Sequence, residues 1–121
     1  MTTNPPVILV VEDDPFLRMV AVDLLMEAGF DTLEAPDAGF AIGILEKRAD
    51  ITFVFTDIDM PGEMDGLKLA ACIRDRWPPI HIVITSGHKS PQISDLPLGS
   101  RFIAKPYNVD HVTSTLRDMA A

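Results

Sequence analysis

Five short apolar runs, VILVV (7–11), FDTLEA (30–35), ITFVFT (51–56), IHIVIT (80–85) and RFIA (101–104), recur along the chain with helical patterns between most of them. Strands covered on both faces read as near-continuous Val/Ile/Phe runs, and helices alternating with them supply that cover. The pattern predicts an α/β fold, a doubly wound five-stranded parallel sheet.

Helix signals fall in the intervals. Asp14-Pro15 reads as N-cap and first helical residue, followed by Leu17, Val20, Ala21, Leu24, Leu25 and Ala28 at 3–4 spacing, with Gly29 as the stop. A second helix opens at Asp37, carries Phe40, Ile44 and Leu45 inward and ends near Lys47 or Arg48. A third opens at Asp65 or Gly66 with Leu69, Ile73 and Trp77 as a ladder before Pro78-Pro79. The last starts after Asn108 with Val109, Val112 and Leu116 toward the sheet. Residues 87–100 carry two prolines and little apolar periodicity, so a fourth helix there is short or irregular.

Right-handed crossovers bring all five strand C-termini to one edge, where ligands of such folds bind at the topological switch point. The sequence places Glu12 and Asp13 after the first strand, Asp57 after the third, Thr85 at the end of the fourth and Lys105 after the fifth. Strand order 2-1-3-4-5 makes the first and third strands neighbours, which brings Asp13 and Asp57 together. Two carboxylates in contact repel, and a hard divalent cation such as Mg²⁺ relieves this while keeping positions for water and a phosphoryl group. Glu12 acts at longer range, through water.

One carboxylate beside such a metal can attack a phosphoryl donor, and Asp57 is the better placed, flanked by Thr85 and Lys105 as partners for the phosphoryl oxygens. Pro61-Gly62 turns the chain so that the Asp59 backbone carbonyl can face the metal while its side chain points away.

Composition narrows the alternatives. At 121 residues, 47% hydrophobic and 23% charged, the chain is an ordinary globular one, expected to fold as a single domain over about residues 6–119. A net charge of −8 disfavours direct binding to nucleic acid or anionic membrane, both of which depend on Lys/Arg neutralising phosphate. Cys72 stands alone, so a reducing compartment is expected. With no leader pattern and no apolar run of spanning length, the location expected is cytoplasmic. His81, His88 and His111 show no ligand spacing.

Four blocks, ILVVEDDP, FTDIDMPGEMDG, IVITSG and FIAKPY, resemble in order and spacing the receiver domain of two-component response regulators, a flavodoxin-like fold, over essentially the whole chain. The resemblance implies Asp57 as phospho-acceptor and Asp13 as the direct Mg²⁺ ligand of an acidic pair with Glu12. It also implies the Asp59 carbonyl as another ligand, Thr85 as a switch hydroxyl, Lys105 as the phosphoryl-contacting lysine before a cis peptide at Pro106, and Phe102 as the switch aromatic.

The function implied is a phospho-accepting receiver in a two-component or phosphorelay pathway. Its expected donor is a histidine kinase or histidine phosphotransfer protein, and its downstream protein partner is unspecified. The chain catalyses only its own phosphorylation and dephosphorylation, as a monomer or weak dimer. The pattern ends at Ala121, so no effector domain, and no transcription-factor activity by this chain alone, is expected. Two rival readings remain: a receiver-like interaction module independent of phosphorylation, and a haloacid-dehalogenase-like phosphatase using Asp57 and Asp59 as its paired acids.

Overall fold

The computed structural model describes residues 5–62, 64–87, 91 and 93–120. His88, named among the histidines above, lies outside the described residues. The elements run β1 (Val7–Val11), α1 (Pro15–Glu27), β2 (Asp31–Ala35), α2 (Ala38–Lys47), β3 (Ile51–Asp57), α3 (Gly66–Arg76), β4 (His81–Ser86), a 3-10 turn (Ile93–Asp95), β5 (Arg101–Ala104) and α4 (Val109–Ala120). Strand order is β2-β1-β3-β4-β5, with every pair parallel. This is the expected doubly wound sheet. Among the described residues the interval between β4 and β5 holds the 3-10 turn alone as helix.

All four helices begin on an Asp or Asn that accepts a hydrogen bond from the first turn. Asp14 takes Phe16 N at 2.9 Å, Asp37 takes Phe40 N at 2.8 Å, Asp65 takes Lys68 N at 2.9 Å and Asn108 takes His111 N at 2.8 Å. Each such cap contributes ~1 kcal/mol by satisfying a donor that the helix itself cannot. Because each cap lies close after the C-terminal end of a strand or the loop that follows it, the caps also set where the loops of the functional edge end.

Alternation along the strands divides the core into two layers. Leu9, Val11, Val54, Ile82 and Ile84 face α2 and α3, meeting Leu45, Leu69 and Ile73. Ile8, Val10, Phe53, Phe55, Val83 and Ile103 face α1 and α4, meeting Leu25, Val112 and Leu116. Burying each of these larger side chains stabilises the fold by roughly 1.5–3 kcal/mol before entropy is counted. The two layers hold the sheet rigid from both sides, so its C-terminal edge is a fixed platform.

The helix faces differ from the expected ones in three places. In α1 the buried residues are Ala21, Val22 and Leu25, while Leu17 and Val20 are exposed together with Phe16 and Met19. Phe40 on α2 and Val109 on α4 are likewise exposed. A helix apolar around most of its circumference has no single face marked by periodicity, and the sheet can cover only part of it. Trp77 caps α3 half-buried under the Arg76 guanidinium, 4.3 Å from the ring centroid, while Leu69 and Ile73 are fully buried as anticipated. Among the described residues no helix is long and apolar enough to cross a membrane.

Candidate functional site

Asp57 is the last residue of the central strand and pairs in register with Thr85 of β4. The Ile58 amide continues the ladder to Thr85 O at 2.9 Å, and the Lys105 amide donates to Ser86 O at 3.0 Å. Backbone pairing thus sets Asp57, Thr85 and Lys105 side by side across three strand ends. On the other flank the Glu12 amide donates to Ala35 O at 3.1 Å. Arg18 Nη1 donates to Glu12 O at 2.8 Å while its Nε reaches Glu34 Oε1 at 3.2 Å. Arg18 therefore fastens the loop that carries the acidic pair to α1 and β2.

Glu12, Asp13 and Asp57 each offer a carboxylate oxygen within 4.8 Å of the others, with Glu12 and Asp57 buried and Asp13 exposed. No other such group of His, Cys, Asp or Glu is found among the described residues, and His81 is occupied in stacking on Phe53 at 5.2 Å. Lys105 Nζ stands 2.8 Å from Glu12 Oε1 and 3.5 Å from Asp57 Oδ1. The peptide bond between Lys105 and Pro106 is cis.

Charge is crowded here. Burial pushes the Asp57 carboxyl above its ordinary range; the Lys105 ammonium opposes this and the Asp59 carboxylate adds to it. Burial likewise raises Glu12, countered by its hydrogen bond to Lys105 and reinforced by the charge of Asp57. For Lys105 burial works against the ammonium, but its bonds and attraction to Glu12 and Asp57 outweigh it and hold the proton more tightly.

Among the described residues three buried side-chain atoms have no hydrogen-bond partner: Arg74 Nε, away from this edge, and Asp57 Oδ1 and Thr85 Oγ1 within it. Such orphans are uncommon in folded proteins and costly, ~1–3 kcal/mol each. A carboxylate oxygen that makes no hydrogen bond, with an ammonium 3.5 Å away and two more carboxylates within reach, suits a hard oxygen-seeking dication. The residues present fit Mg²⁺.

Asp59 enters differently. Its side chain accepts a hydrogen bond from Ser86 Oγ at 3.0 Å and is not one of the three clustered carboxylates. Phe102 is half-buried against the α2–α3 core layer. A groove of about 420 Å³ lined by Leu17, Val20, Gly87, Lys105, Pro106 and Tyr107 opens beside Lys105 on the α1 side. Tyr107 packs edge-on against Phe55 at 5.5 Å.

One residue that sets this geometry is not apparent from strand-end chemistry. Gly66 opens α3 with its amide donating to Ile58 O at 3.0 Å, and a Cβ there would lie 2.0 Å from Asp57 O and 2.7 Å from Asp57 C. The helix start rests directly on the Asp57 backbone, and only glycine fits. The signal available in sequence is the Asp65-Gly66 pair after the β3 loop, legible as a helix start but silent about the backbone that it meets. Gly62, at φ 95°, follows Pro61 and completes the turn that returns the chain to this point.

The pattern of the response regulator receiver domain matches residues 8–117. A chemotaxis protein CheY homolog of Campylobacter jejuni is 33% identical over 118 residues, covering 93% of this chain and 90% of that protein. A putative NtrX-like response regulator of Rickettsia bellii is 30% identical over 114 residues, which are 91% of this chain and 24% of the regulator's length. The crystal structure of a response regulator receiver protein from Sinorhizobium medicae superposes with a TM-score of 0.88 at 27% identity, covering 95% of this chain and 94% of that one. With the expected strand order and an acidic pocket of Glu12, Asp13 and Asp57 that suits an aspartyl phosphate and Mg²⁺, the chain belongs to the response regulator receiver domain family.

Proposed function

We propose that Asp57 accepts a phosphoryl group from a phosphohistidine of a histidine kinase or histidine phosphotransfer protein. The observation that carries this reading is the Asp57 carboxylate itself, 6% exposed, with Oδ1 lacking a hydrogen bond and with Lys105, Thr85 and two further carboxylates around it. An Asp57 oxygen attacks phosphorus, and the phosphorus–nitrogen bond breaks with its electron pair passing to the imidazole. The ionised carboxylate is the attacking form; burial raises the Asp57 carboxyl and the Lys105 ammonium opposes that rise.

Asp13 and Asp57, with the Asp59 backbone carbonyl, would hold Mg²⁺, and Glu12 would reach it through water. When bound, the ion neutralises the cluster and draws charge from the phosphoryl oxygens. Lys105 offers its ammonium to one phosphoryl oxygen and Thr85 its hydroxyl to another, which gives the orphaned Thr85 Oγ1 a partner. Phe102, half-buried on β5, would follow Thr85 as the switch aromatic that the family resemblance implies.

The phosphatase alternative gains no support: the Asp57–Asp59 pair lies at the end of the third strand of this sheet, and residues 8–117 match the receiver domain. A receiver-like module indifferent to phosphorylation has no use for a buried Asp57 that raises the cost of folding. The test is phosphoryl transfer from a phosphorylated histidine phosphotransfer protein in the presence and absence of Mg²⁺. Transfer that needs Mg²⁺ and is lost in Asp57→Asn supports the reading; equal labelling of the variant defeats it.

A further inference from the structure

Asp13 and Asp57 are held in different ways. Asp57 ends the central strand, paired with Thr85 and with Lys105 Nζ 3.5 Å from its Oδ1. Asp13 is exposed, and among the described residues no side-chain hydrogen bond or ion pair fixes its carboxylate. Its place therefore depends on the backbone to either side. On the C-terminal side Asp14 is locked into the start of α1: its Oδ1 accepts from Phe16 N at 2.9 Å and Leu17 N at 3.2 Å, and its carbonyl accepts from the Arg18 amide at 2.9 Å. On the N-terminal side the Glu12 amide donates to Ala35 O, and the Glu12 carbonyl accepts from Arg18 Nη1 at 2.8 Å. A peptide group is planar, so the bond that fixes the Glu12 carbonyl also fixes the Asp13 amide and the direction in which Asp13 leaves it.

The guanidinium that makes this bond is itself aimed. Arg18 Nε reaches Glu34 Oε1 of β2 at 3.2 Å, and the planar fork makes both contacts from one orientation, which a flexible ammonium does not. Glu12 has separate support, its carboxylate being tied to Lys105 Nζ at 2.8 Å and to the Asp14 amide at 3.3 Å. We propose that Arg18 is a positioning residue for the metal: by holding the Glu12–Asp13 peptide to α1 and β2 it presents the Asp13 carboxylate, which no side chain supports, to Mg²⁺ beside Asp57. The role rests on the acidic pocket holding Mg²⁺ and adds what orients one of its ligands. Charge and position predict opposite signs. Arg18 is a cation close to an acidic pocket, so by charge alone its removal would tighten Mg²⁺ binding, whereas loss of position weakens it.

The test is a titration of the full, unmodified chain with MgCl₂, followed by amide chemical shifts at a temperature where parent and variants are folded. Arg18→Met keeps the aliphatic stem and removes both donors. It should weaken Mg²⁺ binding about threefold to tenfold, the lower end of what loss of a partner to a metal ligand costs, because Arg18 acts through the backbone. Arg18→Lys, which keeps the charge and a donor without the fork, should fall between the two. Labelling by acetyl phosphate should slow at low Mg²⁺ and return toward the parent rate at saturating Mg²⁺. A merely structural arginine would lower thermal stability and leave the titration midpoint where it was. Mg²⁺ bound by Arg18→Met as tightly as by the parent, or more tightly, overturns the proposal alone. If Arg18→Met does not fold, Arg18→Lys decides, and an affinity equal to the parent's overturns it. Absence of Mg²⁺ binding by the parent, or binding undiminished in Asp13→Asn, overturns the metal reading and this role with it.

Discussion

Lys105 Nζ lies 2.8 Å from Glu12 Oε1, joining the end of β5 to the loop after β1 across the full width of the acidic pocket. The ammonium does in this state part of what a metal would do, offsetting charge on buried carboxylates. Removing one member of a buried ion pair leaves the other uncompensated. Lys105→Met should lower the stability of the metal-free protein by ~1–3 kcal/mol, less than for a fully buried pair because the lysine is partly exposed. Added Mg²⁺ should recover more stability in the variant than in the parent, since it neutralises the same oxygens. Thermal melts with and without MgCl₂ check this; an equal loss in both conditions would contradict it.

Asp57 and Glu12 are both raised by burial, so ionising them in the folded protein costs stability. A group whose folded pKa exceeds its unfolded value contributes stability below the unfolded pKa and loses it as pH rises through the folded one. Asp57→Asn should therefore stabilise the metal-free chain at neutral pH by about 1 kcal/mol or more, a gain of ~4 °C in melting temperature. The advantage should shrink as pH falls through the raised carboxylate range. Urea unfolding across that range reads it directly, and an advantage that grows toward acid pH would refute the assignment.

Thr85 Oγ1 is buried without a hydrogen-bond partner. Replacing it by an isosteric methyl removes an unsatisfied group, so Thr85→Val should leave the unmodified protein as stable or stabilise it by ~1 kcal/mol. The modified state should lose a contact. Amide exchange over residues 93–100 and around Phe102 should respond to beryllofluoride, a phosphoryl mimic, in the parent and far less in Thr85→Val. An identical response in both would separate Thr85 from the switch.

The strand ends were legible because chemistry is concentrated there: a carboxylate after a run of Phe and Val is conspicuous in one dimension, and parallel topology brings all such positions to one edge. Caps were legible for the same reason, each being a local contact within four residues. Gly66 was not, since its importance lies in what it meets through space, the Asp57 backbone. Leu17, Val20 and Phe40 point outward because periodicity in a largely apolar helix does not say which part the sheet will cover.

Gly66 gives the most severe expected substitution. A Cβ 2.0 Å from Asp57 O cannot be accommodated by rotating a side chain, because the obstacle is backbone. Gly66→Ala should destabilise the fold by ~3 kcal/mol or more, and any folded fraction should be phosphorylated more slowly because the Asp57 backbone is displaced. Gly43, where nothing lies within 4 Å of an added Cβ, provides the control: Gly43→Ala should be neutral or stabilising by ~0.5–1 kcal/mol. Comparable losses in the two variants would show that the close approach is not what demands glycine at position 66.

The acceptor role of Asp57 is tested most directly by the intact mass of the protein after incubation with acetyl phosphate and Mg²⁺, with the adduct mapped to a peptide. One phosphoryl group per chain on the peptide containing Asp57, dependent on Mg²⁺ and absent from Asp57→Asn, is the predicted result. An adduct of the same stoichiometry in Asp57→Asn, mapped to another residue, would contradict it.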